Sequence, residues 1–286
     1  MQTLTGFHTV VFLVMLAAPA ALFGQSRGSS PDKVQNAAGV SDARQIVGPS
    51  IAATERSWQA RGHYTYTERT EDRRLDAQGQ VRSEDVDVSK MLLVNGARFG
   101  QLVEHNGRPP STEEQRKRGE ELEKLKHETP EERVVRLRKD RENRSFLQEV
   151  LEAFDFQLVG EEIADGRPAY VLQATPHPSY HARGKYAKIF SNVEGRLWID
   201  KQDGGWVKVD GQVTQSFSMG LFVARVQRGS HIVLEQTCMG DGIWVPKRIE
   251  VRANARVLFL KSLNIERILT YSDYRSVEDG PYSASR

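Results

Sequence analysis

"GRLWIDKQDGGWVKVDG", residues 195–211, decides the fold. On either side of a Gly-Gly turn Leu197, Ile199, Val207 and Val209 alternate with Arg196, Trp198, Asp200, Trp206, Lys208 and Asp210. A period of two interrupted by turn residues is a β-hairpin. One of its faces reads as purely aliphatic, and the other mixes indole with charge. Burying a large aliphatic side chain stabilises by about 1.5–3 kcal/mol, and an exposed aliphatic strip invites association, so the aliphatic face must be covered.

The same one-sidedness spreads outward from this hairpin. It recurs in Val213, Phe217, Met219 and Leu221, and again in Ile243, Val245, Ile249 and Val251. From Phe156 to Tyr274 the period is two almost throughout, with turns at "ADG", "KQDGG" and "GDG". Residues 63–107 form an earlier meander, alternating at Tyr64, Tyr66 and Glu68 and at Val86, Val88, Lys90, Leu92 and Val94, with "DAQGQ", "NGAR" and "HNGR" as turns. No strand–helix–strand alternation with a glycine-rich phosphate turn interrupts it. The expected class is α+β, mainly antiparallel β: an incomplete, half-closed barrel of about ten or eleven strands with helices covering the concave face.

Two helical stretches complete the pattern. "SDARQIVGPSIAATERSWQA", residues 41–60, carries Ile51, Thr54, Glu55 and Trp58 on one stripe and is expected to break or restart at Gly48-Pro49. An insertion over residues 111–154 opens with a capping box, Ser111 with Glu114, and starts a second helix at Thr129-Pro130 with Glu132. Its charge run, "RKDRENR", reads as a solvated face.

The ends are of another kind. "TVVFLVMLAAPAALFG", residues 9–24, has the length of a signal-peptide apolar core and small residues near its end. Residues 1–25 are therefore expected to be an export signal, 26–40 a flexible leader, 41–277 a single half-barrel domain and 278–286 a disordered tail. The expected location is the periplasm or the exterior. No Lys or Arg precedes the apolar run, which leaves an uncleaved tether to the inner membrane as the alternative.

Composition excludes several functions. Forty Lys plus Arg against 38 Asp plus Glu leave a net charge of +2, no field for a nucleic acid. A mean hydropathy of −0.54 fits a wet-surfaced globule. The single cysteine, Cys238, rules out an internal disulfide and a zinc site built of several thiolates, and reads as a small strand residue.

No constellation carries catalysis. His177 and His181 are four apart, but Pro176 and Pro178 forbid the helix that would aim both imidazoles at a metal. "GDG" at residues 240–242 is a strand connection. Asp200, Asp203 and Asp210 bracket a hairpin, the first two facing water, with no Gly-x-Ser-x-Gly elbow nearby. Pro246 inside a strand marks an edge or bulge, and Lys247, Arg248 and Arg252 beside it lie on a solvated face. No cofactor and no metal is expected.

The order of the segments, with "DGRPAYVLQATP" (165–176), "GRLWIDKQD" (195–203), "EQTCMGDGIWVPKRIEVRANARVLFLK" (235–261) and a closing "YSDYR" (271–275), resembles the periplasmic outer-membrane lipoprotein-sorting proteins, the LolA-like lipoprotein carriers, over about residues 50–275. That resemblance implies a concave sheet, an apolar cavity and binding of acyl chains of a lipid or lipoprotein without chemistry. Alternation names Phe217, Met219, Leu221, Ile249, Val251 and Leu258 as the lining. Each buried methylene contributes about 0.8 kcal/mol, enough for two chains to bind without a polar anchor. The expected molecule is a monomeric acyl-chain binder. The alternative is an envelope sensor or protein-interaction module of the same fold, its cavity filled by its own side chains.

Overall fold

Asn95-Gly96 and Asp165-Gly166 each sit at positive φ, 51° and 73° in the first pair and 49° and 75° in the second. A two-residue type I′ turn needs this at both central positions, and its twist matches that of the strands it joins. Such connections produce a meander, seen in a computed structural model that describes residues 33–144, 146–181, 187–219, 224–257 and 261–277. The expected export signal and the expected C-terminal tail lie outside the described residues, as do Leu221 and Leu258.

Twelve strands form one antiparallel sheet: β1 (Tyr64–Leu75), β2 (Val81–Val94), β3 (Ala97–His105), β4 (Phe154–Ala164), β5 (Arg167–Pro176), β6 (Val193–Asp200), β7 (Trp206–Val213), β8 (Phe217–Met219), β9 (Ala224–Val226), β10 (His231–Cys238), β11 (Trp244–Val257) and β12 (Lys261–Ser276). Their order is β3-β2-β1-β12-β11-β10-β7-β6-β5-β4, with the β8–β9 pair attached to the end of β11. The sheet is not closed; β3 and β4 are its edges. Among the described residues the count exceeds the expected ten or eleven, with β8 and β9, of three residues each, forming a short pair beside β11.

The helix α1 (Lys33–Ala60) lies on one face, called here the inner face. It differs from expectation in two ways. It starts at Lys33, so residues 33–40 are helical rather than part of a leader, and it runs unbroken through Pro49. Beyond that proline the helix is anchored: Ser50 Oγ donates to the Val47 carbonyl at 2.7 Å and accepts the Trp206 indole N–H at 2.8 Å. Ala43, Val47 and Ile51 pack with Leu172, Leu197, Ile199, Trp206, Val209 and the strand-opening Phe154 and Phe156 into the main core.

Trp206 belongs to that core through a bulge that the alternation does not show. Leu197 pairs with Val209 and Trp198 with Lys208, but Ile199 then pairs with Trp206. The extra residue, Val207, turns to the opposite face and packs with Trp198, Val171, Ala169 and Trp244. The hairpin's aliphatic face is thus Leu197, Ile199 and Val209 joined by an indole, and Val207 is its exception.

The insertion forms α2 (Thr112–Lys126), α3 (Pro130–Arg144) and α4 (Phe146–Ala153). Both expected caps are present. Ser111 and Glu114 exchange bonds of 2.7 and 3.3 Å, and Thr129 and Glu132 bonds of 2.9 and 3.2 Å. Leu147, Val150 and Ala153 of α4 join α1 on the inner face. The other end of the insertion goes elsewhere: α2 rests on β3 and β2, beside Phe99 and Val103. Phe99 pairs with Leu92, which alternates with the inner-face residue Asp87, so α2 lies on the outer face. Asn95 fixes it there, its amide donating at 3.0 Å to the Leu125 and Lys126 carbonyls.

Candidate ligand-binding face

Cross-strand register lays out the inner face residue by residue. One row runs Leu172, Leu197, Val209, Leu234, Ile249, Leu269, Thr70, Asp87, His105. The next runs Ala174, Gly195, Gly211, Ile232, Val251, Arg267, Asp72, Asp85. Both rows are apolar from β5 to β11 and polar over β1 and β2. The face therefore grades from a hydrocarbon-like half to a hydrogen-bonding half.

The apolar half has two parts. The first, over β4–β7, is occupied by α1 and α4. The second, over β10–β12, is a separate cluster of Ile232, Val251, Ala253 and Ile265 with half-buried Ile249 against it. Two of the expected lining residues, Ile249 and Val251, meet there. Phe217 is half-buried against the main core instead, and Met219 lies two residues further along β8. Of the six, Ile249 and Val251 thus fall in one cluster and Phe217 against the other.

At the polar end lies a group that alternation did not single out. Tyr64, Tyr66 and Glu68 share the inner face of β1 with Tyr271 and Tyr274 of β12, where Asp273 at φ 54° inserts the residue that brings both tyrosines to one side. Tyr66 packs between them with tilted rings, 5.7 Å from the Tyr271 ring and 5.1 Å from that of Tyr274. Tyr274 donates to the Pro246 carbonyl at 2.7 Å. Arg61, just after α1, places its guanidinium 5.8 Å over Trp58 and donates to the Trp244 carbonyl at 3.2 Å and to Gln236. Arg98 on β3 lies beside Tyr66 and opposes the rise of its phenol.

Burial dominates the acid–base behaviour of this group. It raises the phenols of Tyr66, Tyr271 and Tyr274 and pushes the Arg61 guanidinium down to about 10. Burial likewise raises the Glu68 carboxyl, against the opposing pull of its Thr70 hydrogen bond, Arg267 and Arg98. A carboxyl raised in the folded state stabilises the fold most at acidic pH, and that contribution fades as pH rises through the folded value. Glu68→Gln is accordingly expected to raise the melting temperature at pH 7, with the gain vanishing below about pH 4, where the unfolded carboxyl is also protonated. Thermal melts of both proteins across that range check it.

The residues weighed for chemistry are otherwise engaged. Asp200, expected to face water, is 2% exposed; it takes both donors of Arg167 at 2.7 and 3.0 Å and the backbone N–H groups of Gln202 and Asp203. Asp203 joins the same arginine at 2.5 Å, and Asp210 meets His231 at 2.7 Å. His177 and His181 both line a 540 Å³ cleft with Arg44, Leu151 and Tyr180, but His177 is held by Asp155 at 3.0 Å. Arg248 and Arg252 pair with Glu250 at 2.8 and 3.2 Å, and Lys247 pairs with Asp165 at 2.7 Å. Among the described residues no helix is long and apolar enough to cross a membrane.

No protein-family model and no curated protein matches the sequence. Solved structures do show similarity. A putative outer membrane lipoprotein-sorting protein domain from Vibrio parahaemolyticus is 10% identical, covering 85% of this chain and 96% of that one, with a TM-score of 0.34. A LolA superfamily protein from Nitrosomonas europaea is 15% identical, covering 84% and 96%, with a TM-score of 0.31. The Pseudomonas aeruginosa MucA/MucB complex includes a chain 12% identical, covering 82% and 99%, with a TM-score of 0.23. The group that the hairpin motifs resemble is thus represented, while the fold stands on the strand order and register above.

Proposed function

We propose that this chain is an exported, non-enzymatic binding protein of the cell envelope that holds an acyl chain of a lipid or lipoprotein against the inner face at β10–β12. The supporting observation is the second apolar cluster. Ile232, Val251, Ala253 and Ile265, all buried, form with half-buried Ile249 an apolar cluster separate from the core that α1 and α4 complete. An acyl chain placed there gains about 0.8 kcal/mol per methylene removed from water.

Native mass spectrometry of the protein released gently from the envelope tests this. The expected result is a lipid-sized adduct that is lost on delipidation and restored by added palmitate. A bare chain that takes up no palmitate overturns the proposal.

A second reading, an envelope sensor or protein-interaction module, is favoured by one observation. On α3, Val134, Val135 and Leu137 are 65%, 40% and 48% exposed on a helix otherwise rich in charge. In the same spectra, a bare chain accompanied by a stoichiometric protein partner favours this reading over the carrier.

A further inference from the structure

The apolar cluster and the tyrosine–arginine group lie side by side on one face. Ile249 pairs with Leu269, and Tyr271 is two residues along the same strand, about 7 Å away. A ligand with a hydrocarbon chain entering the cluster at half-buried Ile249 therefore presents its other end to Tyr66, Tyr271, Tyr274, Arg61 and Arg98. Three features define what that end is.

Cations predominate in the group. Arg61 and Arg98 are close enough to repel one another, and Glu68 faces Arg98. Arg267, next along the inner face, is committed to Asp72 through two bonds and adds no free charge. Most of the donors point from rigid, aromatic-flanked positions, as in sites that bind phosphate or carboxylate groups. Arg61 already spends donors on Trp244 and Gln236, which fixes its plane, whereas Arg98 is exposed beside the Tyr66 phenol, where a stronger acceptor can engage it.

We propose that this group is the head-group site for an amphiphile ending in a net-anionic phosphate monoester, with Arg98 and the Tyr66 hydroxyl as its direct donors, Arg61 as the fixed charge behind them, and Glu68 as a tuning charge that weakens the grip and permits release. The proposal rests on the acyl-chain reading above. Its signature is a pair of opposite effects. Removing the Arg98 charge weakens binding of an anionic head, while removing the Glu68 charge strengthens it, and neither affects a head without net charge.

The test is calorimetric titration with lysophosphatidic acid, with the lysophosphatidylcholine of the same chain, and with inorganic phosphate, on the wild type, Arg98→Gln and Glu68→Gln. Both substitutions are conservative in shape and lie outside the cores. The expected result is roughly tenfold weaker lysophosphatidic acid binding by Arg98→Gln and several-fold tighter binding by Glu68→Gln. Lysophosphatidylcholine should be unmoved by either, and inorganic phosphate alone should bind far more weakly than the lipid. Equal binding of the two lipids, unmoved by the variants, overturns the head-group site and leaves the acyl-chain reading standing. Binding of neither lipid overturns both. Inorganic phosphate binding as tightly as the lipid, with the same response to Arg98→Gln, overturns the amphiphile and makes this a free-anion site.

Discussion

Gly205→Ala is expected to destabilise the protein by about 3 kcal/mol or more, the upper range for forcing a methyl group into a packed interior. A Cβ at residue 205 would stand 2.1 Å from both Cδ1 and Nε1 of Trp244, a separation no relaxation of the methyl itself can relieve. The indole cannot easily retreat. It is 1% exposed, its backbone N–H donates to Ser57 of α1 at 3.0 Å, and the Arg167 guanidinium lies 5.6 Å over its ring. A denaturant midpoint shifted well below the wild-type value at unchanged slope checks this. Gly204, whose φ of 68° demands glycine for backbone reasons and which has open space around it, serves as the contrast: Gly204→Ala should cost only about 1 kcal/mol.

Asp200→Ala is expected to cost about 3 kcal/mol, since it leaves the Arg167 guanidinium beside Trp244 with Asp203 in place of two carboxylates and leaves two backbone donors of the β6–β7 turn without their acceptor. Its pH dependence identifies the cause. Burial raises the Asp200 carboxyl, but the bonds from Arg167 and the backbone outweigh it and hold the group below the usual carboxylate range. A depressed folded value means the contribution is complete above the unfolded value near about 4 and is lost as pH falls through the folded one. The gap in stability between wild type and Asp200→Ala should therefore be flat from neutral pH down to about pH 5 and narrow in stronger acid. A gap that persists unchanged at pH 2 would mean the loss lies in packing alone.

Both effects converge on the hairpin whose alternation made the fold legible, and they show where that legibility stops. Period two, turn glycines and one-sided aliphatics are local properties, so Asn95-Gly96, Asp165-Gly166 and the helix caps at Ser111 and Thr129 could be read directly. Which strands meet is not local. The pairing of β1 with β12 joins segments some two hundred residues apart, and only that pairing brings Tyr66 beside Tyr271 and Tyr274. Tyr64 and Tyr66 carried the signal in their parity, but without the pairing nothing said that they share a face with Tyr271 and Tyr274.

Bulges hide the rest. The extra residue at Val207 reverses the assignment of Trp206, and the one at Asp273 restores Tyr274 to the inner side. Alternation is blind to both, because a bulge preserves composition while flipping every later side chain. Pro49 misled for another reason. A proline's cost of about 3 kcal/mol in a helix interior is a local penalty, and the buried contacts of Val47, Ser50 and Ile51 with the sheet exceed it. Asp200 likewise looked like a water-facing turn residue until Arg167, contributed by the neighbouring strand β5, covered it.

The account places an acyl chain at β10–β12 of the inner face, and photolabelling with a diazirine-bearing palmitate followed by peptide mapping tests that placement most directly. Labels are predicted on residues 231–238, 249–253 and 263–269, suppressed by unlabelled palmitate. Labels confined to the exposed side of α2 and α3, or an absence of competable labelling anywhere in the chain, would contradict it.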